Sequence, residues 1–356
     1  MAQRIQVLVV DDSTFMRKSL SAMLSSDARI VIAGLARNGE EALQQVKALK
    51  PDVVTMDVEM PGMNGIEAVR RIMAECPVPI VMVSSLTTEG ANDTLKALEY
   101  GAIDYIPKQL DGVATNIVEI ERELVAKILA ASQATGKLAI RRAGAPLPII
   151  AKPAGGALSS HSISVTRGNR IVAIGCSTGG PQALMEILPN LPADFPAGIV
   201  IVQHMPKTFT KPFADRMNQV CPLEVKEAAD GDEVKAGCVL IAPGGVQFRV
   251  KKKSITTNVV SLSPNHEKHL HAPAADIMLQ SVAQLYGERS IGIILTGMGH
   301  DGLEGMKALK ASKGRTIVQD EKTCIVYGMP KAVVEAGCAD KVVPLPHIVG
   351  ELLNMV

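Results

Sequence analysis

The stretch RIVAIGCSTGGPQAL, residues 170–184, reads as a strand, a glycine-rich turn and the start of a helix. Ile171 to Ile174 form a short apolar run of the kind that makes a buried strand. Gly175-Cys176-Ser177-Thr178-Gly179-Gly180 stops it, and Pro181 stands where a first helical turn tolerates proline. Two similar strand ends lie downstream: GIVIVQ (198–203) runs into His204, and IGIILTGMG (291–299) runs into His300 and Asp301. Apolar runs at 238–241 and 315–318 add strands, and helix-period stretches fall at 181–188, 208–219, 274–286, 302–311 and 345–355. Strands alternating with helices imply an α/β domain with a mostly parallel, Rossmann-like sheet. VQFRVKKKSITTNVVSLS (246–263) reads as a hairpin with charged edges, so some antiparallel pairing in a mixed sheet is expected.

The turn admits three readings. A phosphate cradle of the P-loop kind needs a lysine and a Ser/Thr after the second glycine, but Pro181-Gln182 stand there, and Ser177 breaks the G-x-G-x-x-G pattern. A bare βα turn with nothing bound is the second. The third is G-x-S-x-G, a tight turn that exposes Ser177 as a nucleophile and aims a helix N-terminus at developing negative charge. Such a serine needs a base, itself oriented by a third group. His204 and Asp301 both follow strands, where a doubly wound sheet collects its site residues. His347 with Asp301 or Asp320 would give the chain order of α/β-hydrolases, and spacing alone does not exclude it. His266, His269 and His271, in HEKHLH, invite a metal reading, but the spacing is not H-E-x-x-H and Pro264 and Pro273 flank the run, which favours a solvated or substrate-facing loop.

Upstream, residues 1–130 carry five short apolar runs, at 5–10, 30–36, 52–58, 79–85 and 104–107, separated by helix-period stretches. Five such units imply a five-stranded parallel sheet wound on both faces, with polar residues collected at the strand ends. Asp11 and Asp12 end the first run, Asp57 the third and Ser84 the fourth, and Lys108 follows the fifth. Three carboxylates at one edge repel unless a hard cation such as Mg²⁺ neutralises them, and a lysine and a hydroxyl beside them could hold phosphoryl oxygens. The alternative is that the acids are helix caps or solvated loop ends.

Between these blocks, residues 131–168 hold five basic residues, no acidic ones, and runs rich in Ala, Gly, Pro and Ser such as AKPAGGALSS. That is linker composition. The organisation read from the 356 residues is a first domain at 1–125, a linker at 126–168 and a second domain at 169–356. A formal net charge of +1 gives no reason to expect nucleic acid, and no apolar run is long enough to insert in a membrane. Six scattered cysteines, with no C-x-x-C, suit a reducing cytoplasm rather than a disulfide framework.

VVDDS (9–13), MDVEMPGMNG (56–65), VMVSS (81–85) and GAIDYIPK (101–108) resemble the receiver domain of bacterial response regulators. That resemblance implies that a histidine kinase phosphorylates Asp57, that Asp11, Asp12 and Asp57 bind Mg²⁺, and that Ser84, Lys108 and Tyr105 support or report the phosphoryl group. One departure is Gln109, where the family usually has proline after the lysine. RIVAIGCSTGGPQAL, IVIVQHMP (199–206) and ILTGMGHDG (294–302) resemble the catalytic domain of the CheB family of chemotaxis methylesterases. Here the resemblance implies Ser177 as nucleophile, His204 as general base and later acid, and Asp301 orienting it, with the backbone of Met298 and Thr178 as oxyanion hole. His300 fills a variable slot. The expected activity is demethylation of glutamate methyl esters, with deamidation of glutamines, on chemoreceptors, by a cytoplasmic, monomeric enzyme. No cofactor is expected at the hydrolase site. The unphosphorylated receiver is expected to cover that site and its phosphorylation to open it.

Overall fold

A computed structural model describes residues 4–85, 87–108, 114–134, 170–265 and 269–356. The chain divides into two compact units, Met1–Ala145 and Pro146–Val356. The LPII run (147–150), His161, His266 and Gln109 lie outside the described residues.

The first unit alternates β1 (Ile5–Val10), α1 (Thr14–Ser25), β2 (Ile30–Ala36), α2 (Gly39–Leu49), β3 (Val53–Asp57), α3 (Gly65–Glu75), β4 (Ile80–Ser84), α4 (Thr88–Glu99), β5 (Asp104–Pro107) and α5 (Ala114–Ser132). The strands pair in parallel in the order β2-β1-β3-β4-β5. Every residue of β3 and β4 is buried, as in strands covered by helices on both faces. α1 to α4 are capped by loop residues, not by Asp11, Asp12 or Asp57. Ser13, Asn38, Asn64 and Thr87 each accept from the backbone N–H three residues on, a bond worth about 1 kcal/mol. Asp11 and Asp57 are thereby left for other work. α5 continues to Ser132, into the stretch whose composition reads as linker, because Ile128 and Ala131 are fully buried.

The second unit contains β6 (Ile171–Cys176), α6 (Gly180–Ile187), β7 (Gly198–Gln203), α7 (Lys207–Val220), β8 (Glu224–Glu227), β9 (Cys238–Ile241), β10 (Val246–Lys252), β11 (Asn258–Pro264), α8 (Ala275–Tyr286), β12 (Ser290–Ile294), α9 (Leu303–Ala311), β13 (Arg315–Gln319), α10 (Met329–Glu335), β14 (Lys341–Val343) and α11 (Ile348–Leu353). Seven strands form one sheet in the order β14-β13-β12-β6-β7-β9-β8, and every pairing in it is parallel.

The mixed sheet expected from the hairpin does not form among the described residues: β10 and β11 make a separate two-stranded antiparallel sheet, with one further antiparallel bridge from Val259 of β11 to Glu233. Their apolar face, Phe248, Val250 and Val260, joins the core formed by Met278, Leu279 and Val282 of α8. Burying one such side chain is worth about 1.5–3 kcal/mol, so covering α8 is a sufficient alternative to sheet pairing. The Val250 N–H also donates to Ser281 Oγ of α8 at 3.0 Å. The sequence reading missed β8 and β14, which are short, charged edge strands. No helix among the described residues is long and apolar enough to cross a membrane.

Candidate active site and acidic site

The large sheet changes winding direction between β6 and β12: β7 lies on the far side of β6, and β13 on the far side of β12. Ligands of doubly wound sheets bind at the carboxyl ends of strands at such a point. Ser177 follows β6, His204 follows β7, and Asp301 lies in the loop between β12 and α9.

Parallel pairing places Cys176 opposite Gln203, and the ladder runs one bond further, His204 N–H donating to Cys176 O at 3.1 Å. The turn after Ser177 needs a left-handed residue, and Gly179 supplies it with φ +76. The Ser177 N–H donates to Thr296 O at 3.1 Å, so it is not available to an oxyanion. Among the described residues, no carbonyl accepts from the N–H of Thr178 or of Met298. Thr178 is pinned through its carbonyl, which accepts from Thr296 Oγ1 at 3.0 Å. The loop before Met298 is pinned through Gly297 O, which accepts from Gly328 N at 3.1 Å and Met329 N at 2.9 Å. Burial pushes the Cys176 thiol well above its ordinary range, which leaves it protonated and no rival to the adjacent serine.

His204 Nε2 and Asp301 Oδ2 are 2.7 Å apart. The same oxygen accepts from Ala275 N at 2.7 Å and Oδ1 accepts from Asp276 N at 2.9 Å, both in the first turn of α8. Burial alone would raise the Asp301 pKa. The bond and charge of His204, with the two N–H groups, outweigh burial and bring it from 3.8 down to about 2. Asp301 is thus held as a carboxylate. With Nε2 engaged there, Nδ1 is the nitrogen left to act as a base, and it is buried with no hydrogen-bond partner among the described residues.

The alternative order with His347 falls away. His347 is exposed at the start of α11, Asp301 is bonded to His204, and Asp320 is bonded to Thr323. His300 is exposed. His269 is exposed too, and neither it nor His271 belongs to any metal-competent group among the described residues. His271 has a different position, which sequence reading missed: its ring stacks on His204, with centroids 3.9 Å apart and planes 21° apart. Its carbonyl accepts from buried Gln247 Nε2 at 2.7 Å, which holds the loop in place.

In the first unit, the sheet edge brings Asp11, Asp12 and Asp57 together, with one ligand oxygen from each within 4.8 Å of the others. Lys108 Nζ lies 3.0 Å from Asp11 Oδ2 and 2.7 Å from Asp57 Oδ2, so the residue after β5 reaches both buried acids. Burial raises Asp57 from 3.8 to about 6, against the bond and charge of Lys108 and with the repulsion of Asp11. Two buried carboxylates sharing one ammonium fit a divalent cation. Ser84 Oγ donates to Gly90 O, in the first turn of α4, at 3.1 Å. Tyr105 is buried on β5, with Lys127 Nζ 5.1 Å from its ring centroid and donating to its carbonyl at 2.6 Å.

Fold and sites define a class: a response regulator whose output unit is an α/β hydrolytic enzyme. Residues 7–116 match the response regulator receiver domain, and residues 172–352 match the CheB methylesterase. A protein-glutamate methylesterase/protein-glutamine glutaminase of Oleidesulfovibrio alaskensis is 47% identical over 99% of both chains. One from Pyrococcus horikoshii is 45% identical over 98% of this chain and 92% of its own. The crystal structure of the Thermotoga maritima CheB methylesterase catalytic domain covers 53% of this chain and 100% of its own, with 45% identity and a TM-score of 0.52. The chain belongs to the CheB methylesterase family.

Proposed function

We propose that this chain is a phosphorylation-activated serine hydrolase that removes methyl groups from glutamate methyl esters on chemoreceptors and deamidates glutamines there. The observation that carries the reading is the union of Ser177, His204 and Asp301 at three neighbouring strand ends, with Asp301 on His204 Nε2 at 2.7 Å and Nδ1 left over. Ser177 Oγ attacks the γ-carbonyl of the ester as His204 Nδ1 takes its proton. The N–H groups of Thr178 and Met298 face the oxyanion, a kind of contact worth about 2.7–4 kcal/mol per donor in other hydrolases. Collapse expels the methoxy group, which leaves as methanol with the proton from His204. Water then attacks the acyl-serine, His204 takes its proton, and the glutamate carboxylate departs as Ser177 is reprotonated. A glutamine side chain of the same shape would lose ammonia by the same route.

Control belongs to the first unit. Asp57 accepts a phosphoryl group from a histidine kinase, and the change reaches the hydrolase through Ser84 and Tyr105 as a population shift. Asp11, Asp12 and Asp57 would hold Mg²⁺, which when bound supplies the positive charge that phosphoryl oxygens need. Lys108, whose Nζ lies 2.7 Å from Asp57 Oδ2, would hold a phosphoryl oxygen. The receiver and the enzyme, read from the sequence as 1–125 and 169–356, are joined by a segment whose first residues still belong to α5, which ends at Ser132.

The test is methanol release from methylated receptor and ammonia release from its glutamine form. Ser177→Ala should abolish both. Hydrolysis of small esters with none of receptor would refute the substrate, and undiminished release by Ser177→Ala would refute the nucleophile.

A further inference from the structure

Gln203 is the last residue of β7, directly before His204, and is 3% exposed. Its side chain does not enter the reaction, yet it touches both halves of the site. Nε2 donates to Ser177 O at 3.0 Å and to His204 O at 3.0 Å. A carboxamide nitrogen has two hydrogens, one for each carbonyl. Two acceptors on that side also fix which way the amide points, because an oxygen there would face two oxygens. Oε1 is consequently turned away, and it is buried without a partner among the described residues. It lies at the start of α6, where a Cβ on Gly180 would overlap it; glycine is needed there for this approach. A buried unpaired acceptor is costly, and its retention asks for a reason.

The reason is in the backbone. The Ser177 peptide is held by its N–H on Thr296 O at 3.1 Å and by its carbonyl, which also accepts from Gly180 N at 2.7 Å. The His204 peptide is held on its N–H side by Cys176 O at 3.1 Å. Among the described residues, Gln203 is the one side chain that bonds to both carbonyls. Among the described residues His204 Nδ1 has no hydrogen-bond partner, so no bond between the two side chains sets their spacing. We infer that Gln203 is a positioning residue: its carboxamide clamps the Ser177 and His204 main chains and so sets the alignment of nucleophile and base. The inference rests on the assignment of those two residues above.

Gln203→Met keeps length and volume and removes both donors. Misplacement of reacting groups by about 1 Å costs on the order of a hundredfold in rate. In the full chain, kcat for methanol release from methylated receptor should fall about a hundredfold, with KM within twofold. Labelling of Ser177 by a fluorophosphonate, which needs the serine and its base but no glutamyl substrate, should slow by a similar factor. Endpoint labelling counts the folded sites and separates slower sites from fewer ones. A fall in kcat per labelled site of less than tenfold, or a loss confined to KM, overturns the inference. Gly180→Ala offers a second approach, since its Cβ displaces the carboxamide without removing it. It should slow the wild type at least tenfold but add less than threefold in a Gln203→Ala background; equal losses in both would overturn the clamp. Ser177→Ala separates the two levels. If it still releases methanol, the site assignment fails; if it is dead while Gln203→Met is normal, only the clamp fails.

Discussion

Replacing Asp301 with asparagine keeps the shape of the side chain and inverts one of its ends. In the wild type, Oδ1 accepts from Asp276 N at 2.9 Å, and Oδ2 accepts from Ala275 N at 2.7 Å beside His204 Nε2, also at 2.7 Å. With Oδ1 kept on Asp276, the new NH₂ would face the Ala275 N–H, donor to donor, and His204 Nε2. The imidazole would then have to accept at Nε2 and carry its proton on Nδ1, the nitrogen needed as a base. In a serine protease, the same inversion costs about 10⁴ in kcat through the wrong tautomer. The expectation for Asp301→Asn is therefore a loss of roughly 10³–10⁴ in kcat, or about 4–5.5 kcal/mol, with KM nearly unchanged. Stability should change separately. The folded pKa of Asp301 lies below its ordinary 3.8, at about 2, so the buried carboxylate contributes about 2 kcal/mol above pH 4, lost as pH falls toward 2. Asp301→Asn should lack that contribution at neutral pH and show a flatter acid limb of unfolding. The assays are steady-state methanol release and denaturant unfolding from pH 2 to pH 7. A variant within tenfold of wild-type kcat, with intact folding, would refute the tautomer argument.

Three more outcomes follow from the geometry. His271→Ala should lose the ring stack on His204 and about three- to tenfold in kcat, given stacking worth about 0.5–1.5 kcal/mol, while His271→Phe should retain most of the rate; equal rates for all three would exclude a role for the stack. Asp57 is raised from 3.8 to about 6, so its ionisation costs about 3 kcal/mol above pH 6, and this penalty disappears below pH 4. Asp57→Asn should therefore slow hydrogen exchange of β1 and β3 amides at pH 7 without divalent cations, and unchanged or faster exchange would count against the buried charge. Gly179→Ala would force an L-residue to φ +76 and bring a Cβ within 2.8 Å of Ile325 Cβ, so thermal unfolding should show a loss of about 1–3 kcal/mol, and an unchanged midpoint would contradict the turn geometry.

Much of both sites is legible in the sequence because parallel sheets put function at strand ends. An apolar run that stops at Asp57 or His204 announces a polar side chain at the carboxyl end of a strand. The parts that escaped depend on long-range placement. His271 stacks on His204 while its carbonyl accepts from Gln247, 24 residues away in sequence, a placement that no local pattern displays. The grip on Asp301 comes from N–H groups of Ala275 and Asp276, which no side-chain pattern displays. Gln203 reads simply as the polar end of a strand until its two acceptors are seen. Edge elements such as β8, with the sequence EVKE, carry too few apolar residues to show a period.

The central claim is that a signal received at Asp57 governs chemistry at Ser177. The direct measurement is the rate of methanol release from methylated receptor, with and without a small-molecule phosphodonor and Mg²⁺, for the wild type and for Asp57→Asn. The account requires the wild-type rate to rise only when both are present, and the Asp57→Asn rate to stay at its unstimulated level. Equal wild-type rates with and without phosphodonor, or stimulation that survives Asp57→Asn, would contradict it.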